Sequence, residues 1–174
     1  MKKNELIPID SVFIPGYSGD FVAGSHIPFE LLTKKRVSEK DIIKHVLYTR
    51  YSLFRIKDKV TKDELNFLID KIKFYTKGKN IYSNVEAADI IEYQDYQERQ
   101  AKFINNAIRV YEFWGYEWRT PFWDKGILEY WSWIPLSWRY GRRLYFEFDK
   151  KYCLNYINNF RSSKYNVEYV YPKL

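Results

Sequence analysis

The clearest periodicity lies in TKDELNFLIDKIKFYTKG. There Leu65, Leu68, Ile69 and Ile72 recur at helical spacing between a Thr61/Glu64 capping box and a terminating Gly78. SEKDIIKHVLYTRYSLF repeats the device, with Ser38 as cap, Asp41 three residues on, and Ile42, Val46 and Leu53 on one face. The longest pattern predicts a helix from about Val85 to Trp114, stopped at Gly115, with Tyr96, Phe103, Ala107, Val110 and Trp114 as its apolar face. Arg99 and Asn106 stand beside that stripe, which half-buries them. Asp124 is placed to cap a short helix carrying Ile127, Leu128 and Trp131 and closed by Pro135, and GRRLYFEFDKKYCLNYINNF reads as a last helix. Against these helices stands one strand signal, the apolar run Val12, Phe13, Ile14, cut off by Pro15 and Gly16 and read as buried. A lone strand leaves its backbone groups unpaired, so either other strands are hidden in the chain or the sheet begins before Met1. No linker, internal repeat or low-complexity segment stands out.

Composition narrows the class. A chain of 174 residues with 46% apolar residues is one core-forming domain by length. Most of its 17 Tyr, 12 Phe and 6 Trp fall after Tyr82, and so bulky a half calls for a large partner surface. No run of ~18 apolar residues exists and no apolar stretch follows the basic N-terminus, so a soluble cytoplasmic protein is expected, with no membrane partner. Cys153 is the only cysteine, which excludes an internal disulfide framework and a cysteine zinc site. The excess of 29 basic over 22 acidic residues is spread out; its densest clusters are Lys34 to Arg36 and the trio Arg139, Arg142, Arg143. Nothing reaches the unbroken like-charge run of a nucleic-acid-binding arm, so a solvated basic face is the expectation and nucleic acid is not an expected partner.

The chemistry-bearing candidates are few. In PGYSGD, Gly16 and Gly19 flank Ser18 and precede Asp20; small residues let backbone N–H groups approach an anion, and the aspartate suits the magnesium that accompanies a polyphosphate. The spacing fits neither standard phosphate fingerprint, and by local chemistry a structural turn is the simpler reading. His26 lies close to this loop without a Ser or Cys partner, and His45 falls at the boundary of an amphipathic helix. Glu98, Arg99, Arg109 and Glu112 read as surface pairs on a helix. In EWRTPFWD, Arg119 and Asp124 flank Pro121 and three aromatic residues at a helix junction, where such a pair commonly joins and fixes the chain.

Two of these segments, in this order and these contexts, carry a family resemblance. VFIPGYSGDFVAGS resembles the S-G-E-G-x-D-E-x-F-G-G segment of asparagine synthetase-type ligases, which follows a buried strand. ERQAKFINNAIRVYEFWGYEWRTPFWDKGILEYWSWIP resembles their later segment, in which a helix leads into R-x-P-F-x-D and a short helix ending near a proline. The resemblance covers about Ile7 to Tyr145, and R-x-P-F-x-D is its more specific part. The distribution of tyrosine and tryptophan also resembles the asparagine synthetase-related proteins of bacterial surface-polysaccharide loci. It implies an α/β fold: a partial Rossmann-like synthetase domain of the adenine nucleotide α-hydrolase-like kind, mostly helical here, with one or two short parallel strands. The implied activity is ATP-dependent amide formation, in which Mg-ATP activates a carboxylate as an acyl-adenylate and ammonia or an amine displaces AMP. Carried over by position, Gly16, Ser18 and Gly19 lie on the nucleotide or pyrophosphate side and Asp20 holds Mg2+. Tyr17 stands where asparagine synthetases have an acid and β-lactam synthetases a tyrosine that helps to deprotonate the nucleophile. Arg119 and Asp124 organise the site wall, and Arg142 and Arg143 are sources of positive charge near the phosphates.

The family's defining S-G-G-x-D-S loop has no counterpart in these residues, and neither has the glutaminase domain, since residue 2 is Lys2. Residues 1–174 are therefore expected to be a single incomplete domain, the C-terminal portion of the ligase domain, inactive alone and open to a complementing chain that carries the loop. Whether the chain by itself is an enzyme stays open at this point. The alternative is a basic, aromatic-rich helical binding module for nucleic acid or a protein partner, using WRYGRR.

Overall fold

Ser38, Thr61 and Ser83 each stand three residues ahead of an acid, and in the computed structural model, which describes residues 7–51 and 60–153, each starts a helix. All three form reciprocal capping boxes: the hydroxyl accepts the third residue's N–H while that residue's carboxylate accepts the cap's own N–H. In chain order the elements begin with β1 (Val12–Phe13), α1 (Phe29–Leu32), β2 (Arg36–Ser38), α2 (Glu39–Arg50), α3 (Lys62–Thr76), β3 (Ile81–Ser83) and α4 (Asn84–Gln94). A π-helical stretch, Asp95–Ile104, leads to α5 (Asn105–Ala107), α6 (Val110–Phe113) and β4 (Glu117–Trp118). A 3₁₀ turn (Pro121–Trp123), α7 (Lys125–Trp133), α8 (Leu136–Arg139), a second 3₁₀ turn (Tyr140–Arg142), α9 (Arg143–Phe148) and a π turn (Asp149–Cys153) follow. The described residues are thus mostly helical, with four short strands among them, of which two pair in parallel. No described helix is long and apolar enough to cross a membrane. The predicted inward Leu53 lies outside the described residues.

The residues divide into two compact units, one built from the segments before Ile27 and after Arg99, the other from Ile27–Arg99. In the Ile27–Arg99 unit, Ile42, Val46, Ile72 and Ile91 pack with Val37 and Tyr82 in one buried cluster. The α3 stripe is buried only at its C-terminal end: Ile72 is fully enclosed, whereas Leu65 is exposed.

This unit is an internal repeat, contrary to the sequence expectation. The helix–loop–strand–helix run α1–β2–α2 is followed by a second, α3–β3–α4, and the two strands pair antiparallel with Val37 opposite Tyr82. One constant interval separates Phe29 from Phe74, Lys34 from Lys79, Ser38 from Ser83, Asp41 from Glu86, Tyr48 from Tyr93 and Arg50 from Asp95. Two equivalent pairs meet, as a local two-fold arrangement requires: Val37 with Tyr82 in the ladder, and the Arg50 guanidinium with the Asp95 carboxylate at 2.8 Å. Few identities survive between the copies, so the repeat is carried by positions rather than by letters.

In the second copy, Lys79 first, and then the backbone and hydroxyl of Ser83, hold the Glu86 carboxyl down to about 2 from an ordinary 4.5. A depressed carboxylate contributes stability that is complete above its ordinary value and lost as pH falls from there through about 2. Glu86→Gln is therefore expected to flatten that part of the melting-temperature-against-pH curve. An unchanged acid limb would remove Glu86 from the account.

The predicted 85–114 helix is continuous in outline but not in pitch. Its ten-residue π stretch closes i→i+5 rather than i→i+4 bonds, so side chains advance around the axis more slowly than the 3.6-residue period assumes. The face rotates accordingly: Ile108 and Gln100 are buried, while Phe103, Val110 and Trp114, assigned inward by periodicity, are exposed. Arg99 is half-buried as expected, Asn106 is not. Gly115, at φ 75°, ends the run as expected.

Candidate functional site

The hidden strand is β4. It pairs in parallel with β1, Val12 opposite Glu117 and Phe13 opposite Trp118, and the Arg119 N–H extends the ladder to the Phe13 carbonyl at 2.8 Å. Phe13 anchors the pair by stacking on Tyr111 at 4.5 Å and meeting Tyr116 edge-on at 5.2 Å. Val12 and Ile14, expected to be buried, are exposed (Ile14 68%), because only the Phe13 side of this short strand is covered.

Each strand leads directly into one of the two motif segments, Gly16–Asp20 after β1 and Arg119–Asp124 after β4. Both therefore emerge at the C-terminal ends of parallel strands, where α/β folds form their ligand crevices. The segments touch: a Cβ built on Gly19 would lie 3.3 Å from the Phe122 ring and 3.2 Å from the Gly16 carbonyl, so no side chain fits without displacing one of them. Here close approach favours glycine.

The loop is wound tightly. Gly19 N–H donates to the Gly16 carbonyl, Val22 N–H to Ser18, and Ser25 N–H to Asp20, and Ser18 takes a left-handed φ of 65°. A non-glycine residue there costs of order 1–3 kcal/mol and persists only when its surroundings hold it. Ser18 is 2% exposed, and its hydroxyl donates to Gln100 Oε1 at 3.0 Å. Its side chain thus faces the interior, while Gly16, Tyr17 and Gly19 border the surface.

Asp20 is 47% exposed and lies 2.9 Å from His26 Nε2, which supplies the partner that His26 lacked on sequence grounds. Arg142 reaches the same loop from a residue far along the chain, its Nε donating to Ser25 Oγ at 2.9 Å from a backbone at φ 61°. Arg143 instead covers the Trp138 ring at 4.8 Å. The Arg119–Asp124 pair is not formed. Arg119 binds Glu117 at 3.0 Å and the Trp118 carbonyl, and Asp124 caps α7 by accepting the Gly126 and Ile127 N–H groups. A helix N-terminus with open donors outcompetes an exposed guanidinium for that carboxylate.

Elsewhere, the Arg109–Glu112 contact is the surface pair expected. Glu98 instead accepts the Tyr75 hydroxyl at 2.7 Å, and burial followed by Glu98 pushes that phenol's pKa upward. His45 is half-buried, and burial first and the Arg50 charge second hold its imidazole below the usual value, which agrees with a boundary position.

A magnesium ion bridging to phosphates needs only one or two protein carboxylates, the rest of its shell coming from phosphate and water. Asp20 meets that requirement as a single exposed carboxylate. Among the described residues no group of three or more His, Cys, Asp or Glu side chains is arranged to hold an ion by itself. Gln100 and Phe122 were not singled out by sequence: the first is hidden by the π stretch, the second carries no charge to mark it. The His26–Asp20 pairing had a faint signal, a short interval across a glycine-rich loop. No family model, no curated protein and no solved structure matches the chain.

Proposed function

We propose that the unit built from the segments before Ile27 and after Arg99 is the C-terminal part of a Rossmann-like nucleotide site of the asparagine synthetase type, whose parent chemistry is ATP-dependent amide formation. The observation that carries this reading is the convergence of the two motif segments at the C-terminal ends of β1 and β4, with Gly19 against Phe122. When bound, Mg-ATP supplies the activation of a carboxylate toward an amine or ammonia. The chain's own part is to admit phosphate against the Gly16 and Gly19 backbone, to place the Arg142 charge beside the loop, to hold Mg2+ at Asp20, and to present Tyr17 toward the nucleophile's proton. Ser18 acts through the loop's shape, Arg119 and Asp124 through the wall's, and Arg143 through the Trp138 face. With a single acid and no lysine in the loop, turnover requires a phosphate-binding loop from outside these residues, which a complementing chain can supply.

Calorimetric titration of the purified chain with Mg2+ and pyrophosphate tests this. Weak binding is expected, reduced severalfold by Asp20→Ala and by Arg142→Ala, with no pyrophosphate release from Mg-ATP. Equal binding by wild type and both variants would overturn the site. Robust release abolished by Asp20→Ala would overturn its incompleteness.

The second reading, a basic aromatic-rich binding module, rests on exposed aromatics of the same unit, among them Trp133 (85% exposed), Phe113 and Tyr130. Its signature is oligonucleotide affinity that falls steeply with salt.

A further inference from the structure

The duplicated unit has the helix–loop–helix plan by which EF-hands hold calcium, and its loops can be compared with that ligand scheme position by position. In that scheme a twelve-residue loop offers oxygens at its first, third, fifth, seventh and ninth residues and a carboxylate at the twelfth. Taking Glu86 as the twelfth residue puts Tyr75, Lys77 and Lys79 at the first, third and fifth positions. Taking Asp41 as the twelfth puts Glu30, Leu32 and Lys34 there. Both fifth positions, where a cation loop has an acid or amide, are lysines. Each lysine bonds the twelfth-position carboxylate of its own loop, Lys34 Nζ to Asp41 at 2.8 Å and Lys79 Nζ to Glu86 at 2.5 Å. The carboxylates also bind Ser38 and Ser83, which occupy the ninth positions.

We infer that both loops are cation loops converted to a tethered cation, in which a lysine ammonium sits on the carboxylate that would otherwise ligate a divalent ion. The same contact recurs in both copies across the local two-fold, which a chance surface ion pair would not do. The consequence follows from charge. A divalent ion entering the second loop would meet Lys77 and Lys79, and its main carboxylate is already engaged. The unit therefore keeps its two loops paired without metal and does not respond to calcium. The second loop turns early, with φ 52° at Lys77 and 71° at Gly78, whereas a calcium loop places its sharp turn at a sixth-position glycine, so any affinity restored by substitution will be weak.

Terbium luminescence of the full chain tests this, because Tyr75, Tyr82 and Glu86 line one cavity of about 700 Å3 and the tyrosines can sensitise an ion bound there. Wild type is expected to give no emission that Glu86→Gln removes, and the same melting temperature in calcium as in chelator. Lys77→Asp/Lys79→Asp is expected to show a severalfold, saturable rise in emission that Glu86→Gln abolishes. If that double variant is unfolded by far-UV circular dichroism, refolding on addition of calcium or terbium supports the inference equally. Glu86-dependent terbium emission or calcium stabilisation in wild type would overturn it. So would a folded double variant without Glu86-dependent emission, or an unfolded one that metal does not refold.

Discussion

Arg50→Ala is expected to destabilise the Ile27–Arg99 unit by about 3–5 kcal/mol, the largest effect expected among the described residues, because it removes a guanidinium that lies against a buried carboxylate. Asp95 is 0% exposed and the Arg50 guanidinium lies 2.8 Å from it, at the place where the two halves of the repeat meet. The ion pair itself need not be worth that much, since two charges must be taken out of water to form it. Arg50→Met/Asp95→Leu, which removes both charges while keeping bulk, is accordingly expected to recover most of the loss. Urea unfolding followed by circular dichroism separates the outcomes. A single variant within about 1 kcal/mol of wild type, the value typical of exposed pairs, would show that the pair is solvated.

Gly19→Leu is expected to have the second largest effect, about 1–3 kcal/mol of destabilisation from overpacking, together with loss of Mg2+–pyrophosphate binding. A β-carbon on Gly19 would press on both the Phe122 ring and the Gly16 carbonyl, so a branched side chain must push the two motif segments apart. Gly19→Ala is expected to act in the same direction by less, and Phe122→Leu to rescue part of it. That coupling, measured as a double-mutant cycle on urea midpoints, tells contact between the segments from a merely local strain. Additive effects would mean that Gly19 and Phe122 do not meet in solution.

Much of the helical framework was legible in the letters. Ser38 with Asp41, Thr61 with Glu64, Asp124 ahead of α7 and Gly115 behind α6 are caps and stops that act within three or four residues, so local sequence is sufficient to reveal them. The candidate site was legible in its parts only. Gly16, Gly19, Asp20 and Arg142 stood out by type, but β4 is two residues long and has no period to read, and without β4 nothing in the chain says that Gly19 touches Phe122. The apolar face of the 85–114 run failed for a definite reason: a constant 3.6-residue period was carried through ten residues whose bonds close one residue later.

The repeat escaped for a different reason. Its copies share a phenylalanine, a lysine, a serine and a tyrosine at equivalent places, but the contacts that define the symmetry, Val37 with Tyr82 and Arg50 with Asp95, join unlike residues. Sequence by itself therefore determined where the capped helices begin and which residue types could bear chemistry, because those are near-neighbour effects. Tertiary structure decided which strands pair, which face of a helix is covered, and that Lys34 and Lys79 lie on the carboxylates of Asp41 and Glu86. These depend on a register between segments distant in sequence, and register is fixed by packing and hydrogen-bond satisfaction summed over the whole unit.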